Sequence, residues 1–345
     1  MISMRPHFHP RLVNDPFYDP GIYIDCLFRK RAILFDIGDI RRLSPKSLLK
    51  VTDVFVSHAH MDHFMGFDWL LRLFAGRKKN LRLYGPPGFI GQVAHKLWAY
   101  TWNLAPDFTD ELRVDVVETD TLQARRAVLS STDAFGLQEE EDQAICEGVL
   151  LEEDFFLVRA ALLDHKIPCL AFALEEKRHV NVWKNKLEDL GLDVGPWLTR
   201  LKHLVVEGAP DATPVSALGK DKSARVFPLG FLEKEILEVV PGQKVAYVTD
   251  AGYTPGNIEH ITALAHEADL FFIEATFLQS QEERAFERYH LSTRQAGTLA
   301  RLAQAKRVIP FHFSPSLAGS QALIVQEVEE AFGASPLPHA AKTPG

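Results

Sequence analysis

Short apolar runs alternate with longer amphipathic ones along the chain. The segments Ala32–Asp36, Asp53–Ser57, Leu81–Tyr84, Leu112–Glu118, Phe155–Leu163, Leu170–Leu174, Val245–Thr249, Leu270–Glu274 and Val308–Phe311 are rich in Val, Ile, Leu or Phe. Each is bounded by Gly, Pro, Asp or Asn, which predicts strands. Apolar residues at helical spacing predict helices over Phe67–Phe74, Gly91–Tyr100, Asn257–Ala265, Thr293–Ala303 and Ala322–Ala331. The two kinds interleave, yet the early strands also follow one another across turns. That mixture predicts sheets packed together with helices outside, rather than one doubly wound parallel sheet. Three stretches read as peripheral: the acidic run Glu139-Glu140-Glu141-Asp142, the segment from about Glu175 to Lys234, and the Pro- and Ala-rich tail Ser335–Gly345. The second of these holds two helical patches around Gly195-Pro196 and then a polar, loop-like region; the tail reads as disordered.

Composition narrows the class without deciding it. With 345 residues, 46% of them hydrophobic, the chain can bury a large core. No apolar run reaches a bilayer span, and the opening Met1–His7 has no apolar core of a signal peptide, so a cytoplasmic protein without membrane contact is expected. Cys26, Cys146 and Cys169 are odd in number and widely spaced, which argues against a disulfide framework or a cysteine zinc site. The net charge of −8 leans away from nucleic acid, although a local basic stripe or bound metal can meet phosphates on an acidic body.

The strongest chemical signal is Ser57-His58-Ala59-His60-Met61-Asp62-His63, entered directly from the apolar Val54-Phe55-Val56. In an extended segment residues i and i+2 point to the same side, so His58 and His60 can share one metal; the following turn can swing Asp62 and His63 toward a second. Imidazoles with a carboxylate suit zinc and leave a coordination position open for water. A histidine-rich surface turn is the bland alternative, and three histidines with an aspartate at this spacing argue against it.

His58-x-His60-x-Asp62-His63 resembles the signature of the metallo-β-lactamase superfamily, and further segments resemble its ribonuclease Z (tRNA 3′-processing endonuclease) branch. These are Leu163-Asp164-His165-Lys166-Ile167-Pro168, Val248-Thr249-Asp250, Glu274-Ala275-Thr276-Phe277, His290, Phe311-His312-Phe313-Ser314 and Gly85-Pro86-Pro87-Gly88. They occur in the family's order from about Phe35 to Ser314. The resemblance implies one metal held by His58, His60 and His165, a second held by Asp62, His63 and His312, and Asp250 bridging both. It implies two Zn²⁺ per chain, with Mn²⁺ or Fe²⁺ accepted by the same donors. Asp62 would also orient the attacking water, and His290, steadied by Glu274, would protonate the leaving oxygen. Taken singly, His165 reads as a polar residue beside a strand, Asp250 as a turn residue, His290 as a residue before a capped helix, and His312 as a core histidine or a ligand. Glu274 ends an apolar strand, where burial demands a partner. His7, His9, His95, His179, His203, His260, His266 and His339 read as ordinary histidines.

Departures from the family pattern bear on substrate rather than on chemistry. Thr249 and Ala251 flank the bridging aspartate where glycine and threonine are usual, and Leu291 follows His290 in place of serine. Ser316 and Leu317 stand for an Arg-Tyr pair, and the N-terminus keeps only Phe35-Asp36-x-Gly38-Asp39 of the usual start. The segment Glu175–Val206 resembles the family's protruding arm, in which Lys184, Lys186, Arg200 and Lys202 could meet tRNA phosphates. The expected architecture is an α/β protein: an αββα sandwich over residues 1–334 with an inserted helical arm (about 175–234), then a tail (335–345). The expected activity is cleavage of the 3′ trailer of precursor tRNA by a homodimeric, metal-dependent phosphodiesterase. The alternatives are a hydrolase of a small phosphodiester, lactone or β-lactam on the same site and, last, a metal-free nucleic-acid-binding relative.

Overall fold

The computed structural model describes residues 7–334 apart from Phe28, Arg178 and Pro241. The tail 335–345, His339 and Arg178 therefore lie outside the described residues. The chain divides into two compact units, of which one takes Glu152–Leu157 and Glu175–Gln243 and the other takes the remainder.

Two sheets form the larger unit. Among the described residues, the first runs Phe8–Leu12, Ile22–Cys26, Arg31–Phe35, Val51–Phe55, Lys79–Gly85, Leu112–Thr119, Gln123–Ser130, Leu137–Glu139 in spatial order, with Gln143–Ala144 also paired to Gln123–Ser130. Its centre, from Arg31–Phe35 to Leu112–Thr119, is parallel, and its flanks are antiparallel. The second sheet runs Val149–Glu152, Phe156–Asp164, Pro168–Glu176, Lys244–Val248, Leu270–Glu274, Val308–Phe311, the last three parallel.

The two-residue period of each strand explains the layering. Leu34, Val54, Leu83 and Val114 face helices Phe67–Phe74 and Phe89–Trp98, whereas Phe35 and Phe55 face the second sheet, their rings 5.3 and 5.5 Å from Phe172. In that sheet Tyr247 turns inward, 5.8 Å from Phe35. Ala246, Val248, Phe271 and Ile273 turn outward onto helices Pro255–Leu264, Thr293–Leu302 and Gln321–Gly333. The result is helix, sheet, sheet, helix, as the αββα reading expects. Each fully buried large apolar side chain contributes about 1.5–3 kcal/mol. The strands at and near the edges escape the apolar pattern: Phe8–Leu12 carries Pro10 and exposed alternate residues, and the next-to-edge Gln123–Ser130 carries Arg125 and Arg126. Glu140–Asp142 is exposed loop, while Glu139 closes a short exposed strand.

The smaller unit holds the helices Lys184–Asp189 and Trp197–Val206. The stretch after them, expected to be loop-like, instead forms an antiparallel hairpin, Pro214–Leu218 with Ala224–Pro228, and a helix, Leu229–Ile236. Its apolar content is sparse because only Val215 and Ala217 of the hairpin are buried. They join Leu187, Leu201, Leu229 and Ile236 in a separate core. No helix among the described residues is long and apolar enough to cross a membrane.

Candidate metal centre

The candidate residues gather where strands end. Asp36 follows Arg31–Phe35, His58 to His63 follow Val51–Phe55, and His165 follows Phe156–Asp164. Asp250 follows Lys244–Val248, Glu274 closes its own strand, and His312 follows Val308–Phe311. Asp36, Asp250 and His312 adopt left-handed backbone, with φ of 55°, 46° and 56°. That conformation costs a residue other than glycine about 1–3 kcal/mol. Here it breaks the strand direction and swings each side chain toward the others. His60 (φ −64°, ψ 156°) stays extended and precedes the one-turn helix Met61–Phe64, which carries Asp62 and His63.

Two donor groups result. Ligand atoms of His58, His60, His165 and Asp250 lie within 4.8 Å of one another, as do those of Asp62, His63 and His312. Asp250 Oδ2 is common ground: it lies 3.4 Å from His58 Nε2, 3.5 Å from His165 Nε2 and 3.4 Å from His63 Nε2. Nε2 of both His63 and His312 is 3.5 Å from Asp62 Oδ2. Two donors on one tetrahedral ion at about 2.0–2.1 Å would stand roughly 3.4 Å apart. These separations match that spacing and exceed hydrogen-bond length. His58 Nε2, His63 Nε2 and His312 Nδ1 are buried without a hydrogen-bond partner. His312 Nδ1 is 2.9 Å from Asp250 Oδ1 but misaligned for a hydrogen bond. The donor set therefore fits metal.

Outward-facing nitrogens are held in place. His63 Nδ1 meets Asp36 Oδ2 at 2.9 Å, His165 Nδ1 meets the Tyr289 carbonyl at 2.7 Å, and His58 Nδ1 meets Ser57 Oγ at 3.1 Å. Each contact leaves Nε2 to face the centre, the usual way ligand imidazoles are oriented. Asp36 is fully buried and accepts from Ser57 N (2.7 Å), Ser57 Oγ (2.8 Å) and Tyr247 OH (2.7 Å) as well. The Phe35-Asp36-x-Gly38 pattern was its only signal in sequence, and it carried no role; the contribution of Tyr247, 211 residues away, had none. Asp36→Asn is expected to weaken metal binding about 10–100-fold, read by competition with a chromophoric chelator. Unchanged affinity would leave Asp36 a packing residue only.

Glu274 is fully buried and fully engaged. Its Oε1 accepts from Ala251 N at 2.7 Å, and its Oε2 from Thr276 Oγ1 at 2.6 Å and His290 Nδ1 at 2.8 Å. Although Asp250, Glu274, His290 and His312 also cluster, those bonds occupy both Glu274 oxygens, so this carboxylate serves His290 rather than a cation.

Charge balance among these side chains is consistent with this division. Burial and the adjacent His63 push His58 down to about 2. For His63, burial opposes the charge, but Asp250 and Asp36 outweigh it and raise the pKa. His312 is likewise opposed by burial and raised, chiefly by Asp250, to about 10. Burial would raise Asp250, yet His312 and His63 hold it well below the usual range. Imidazoles bind metal in their deprotonated form, so metal uptake competes with protons at this cluster. His290 is opposed by burial and raised by Glu274.

A profile described as a beta-lactamase superfamily domain matches residues 212–313, which include Asp250, Glu274, His290 and His312. A ribonuclease Z of Deinococcus radiodurans is 31% identical over 272 residues, spanning 78% of this chain and 78% of its own. The chain belongs to the ribonuclease Z family. The zinc phosphodiesterase ELAC protein 1 of Bos taurus is 30% identical over 303 residues, 81% of this chain and 78% of its own. The metallo-β-lactamase-fold protein YhfI of Bacillus subtilis shares the fold at a TM-score of 0.52 and 14% identity, covering 94% of each chain. The metallo-β-lactamase fold of the ribonuclease Z family thus accounts for the two sheets and for the strand-end position of the donors. Lys184, Lys186, Arg200 and Lys202 all belong to the smaller unit instead. The first three are exposed, and Lys202 is half-buried, with burial pushing its pKa down.

Proposed function

We propose that the chain is a metal-dependent endoribonuclease that removes the 3′ trailer of precursor tRNA. The observation that carries this reading is a pair of donor groups sharing Asp250, with the His290–Glu274 pair beside them. The names of the relatives, ribonuclease Z and zinc phosphodiesterase, support the substrate class and zinc. His58, His60, His165 and Asp250 would hold one ion; Asp62, His63, His312 and Asp250 would hold the other. Two divalent cations supply Lewis acidity that ionises water near neutral pH and neutralises charge on a phosphoryl group. Asp62, half-exposed at the open side, orients the attacking water through its carboxylate. Glu274 holds the Nδ1 proton of His290, which leaves Nε2 to deliver a proton to the departing oxygen. A homodimer, with the smaller unit serving the second copy, and a cytoplasmic location complete the reading. Its unpaired cysteines suit a reducing compartment.

The deciding experiment is cleavage of a 3′-extended precursor tRNA by zinc-loaded protein, before and after chelation, with sedimentation to read the assembly. A cut at the base of the acceptor stem that chelation abolishes supports the proposal. No cut, with a small phosphodiester still hydrolysed, sends the site to a small-molecule substrate.

Charge reversal tests the smaller unit. Lys184→Glu, Lys186→Glu and Arg200→Glu together are expected to lower kcat/KM for precursor tRNA about ten-fold or more relative to a small ester, and to flatten its salt dependence. An unchanged ratio would remove these residues from substrate binding. Point changes serve better than excision, because Leu187 and Leu201 share a core with the hairpin and Leu229–Ile236.

A further inference from the structure

One segment at the edge of the donor set is fastened from both sides and still presents a bare aromatic ring. Phe313, which follows His312, donates its backbone N–H to Pro16 O at 2.8 Å, and its ring meets Phe17 edge-on at 5.2 Å. Two residues on, Asp19 Oδ2 accepts from Asp39 N at 2.9 Å, and Asn14 Nδ2 ties Asp19 O (2.9 Å) to Asp39 O (2.7 Å). A Cβ at Gly38 would fall 2.5 Å from Asp19 Cβ and 1.9 Å from Asp62 O, so Asp19 lies against the backbone that carries Asp62. Tyr18 is thus held between a residue packed beside His312 and one packed beside Asp62. Its side chain is nevertheless 61% exposed.

Among the described residues, a cation lies beside the ring. The Arg42 guanidinium carbon lies 5.1 Å from its centroid, and Arg42 makes no hydrogen bond or ion pair among the described residues. The neighbouring Arg41 is instead committed to Asp39 at 2.7 Å. A lone exposed tyrosine is unremarkable on a protein surface. A tethered one, stacked with an arginine that makes no ion pair among the described residues and flanked by residues packed beside two candidate ligands, matches the two needs of a single-stranded nucleotide: a π-face for its base and a cation for its phosphate.

We propose that Tyr18 and Arg42 form a base-stacking platform that takes the nucleotide adjoining the scissile phosphodiester. This rests on the phosphodiesterase reading above and adds to it a contact made to the base rather than to the reacting phosphate.

The test uses zinc-loaded full-length protein and three chromogenic diesters: thymidine 3′-(p-nitrophenyl phosphate), thymidine 5′-(p-nitrophenyl phosphate) and methyl p-nitrophenyl phosphate. Wild type should prefer at least one nucleoside ester over the methyl ester in kcat/KM. Tyr18→Ala should reduce that preference about ten-fold, mainly through KM. Tyr18→Phe and Tyr18→Trp should keep it, and Arg42→Ala should lose part of it. An undiminished preference in Tyr18→Ala, or equal loss on all three esters, overturns the platform while leaving the phosphodiesterase reading intact. Wild type that hydrolyses none of the three, or shows no preference for a nucleoside ester, overturns the platform; only failure on precursor tRNA as well overturns the phosphodiesterase reading.

Discussion

Replacing Asp250 by alanine is expected to lower hydrolysis of precursor tRNA and of a small phosphodiester alike by at least about a thousandfold. One carboxylate oxygen lies 3.4–3.5 Å from the Nε2 atoms of His58, His63 and His165, so the substitution takes a candidate donor from both groups at once. A thousandfold loss corresponds to about 4 kcal/mol of transition-state stabilisation, within what a lost metal clamp costs. Bound zinc per chain, read by elemental analysis, should fall together with activity. The fold should survive, because Asp250 lies beyond the end of Lys244–Val248 and outside the apolar core. Circular dichroism would check that. A variant that keeps both activity and full metal content would remove Asp250 from the centre.

His290→Ala should behave differently. The loss is expected to be about 10²–10⁴-fold, to fall on kcat, and to leave metal content intact, because this imidazole gives its Nδ1 to Glu274 and, in the proposed mechanism, serves as an acid rather than a ligand. Burial disfavours the charged ring, but Glu274 raises its pKa, which keeps the protonated, proton-donating form available. Activity that depends on that form declines as pH rises through the pKa, so the variant should lose this alkaline limb of the kcat profile. An ester with a good leaving group, such as p-nitrophenolate, needs little protonation and should be much less affected. Equal loss with good and poor leaving groups would instead make His290 a structural partner of Glu274.

Much of this architecture is legible in residue order. Val54-Phe55-Val56 running into His58, and Val308–Phe311 into His312, already say that ligand-type residues follow apolar strands, because a two-residue period and an abrupt polar ending are local properties. The helix Phe67–Phe74 is equally local, with Phe67, Leu70, Leu71 and Phe74 on one buried face. Glu274 at the end of a buried strand implies a partner on desolvation grounds alone. The series of motifs then identifies which histidines belong together.

What the order of residues leaves open depends on chain segments meeting in space. Nothing local pairs Tyr247 with Asp36, or Pro16 with Phe313, since those contacts arise only when two sheets stack and the N-terminal loop crosses a strand end. Left-handed backbone at Asp36, Asp250 and His312 is invisible for the same reason: its local cost is unfavourable, and only the surrounding packing holds it. The hairpin Pro214–Leu218/Ala224–Pro228 stays hidden because a strand with one thinly apolar face is stabilised by neighbours that sequence does not name. Residue types and their order thus determine which side chains can bind metal and which strands deliver them. The shared oxygen of Asp250, the orientation of each imidazole and the exposed ring of Tyr18 are decided by tertiary contacts.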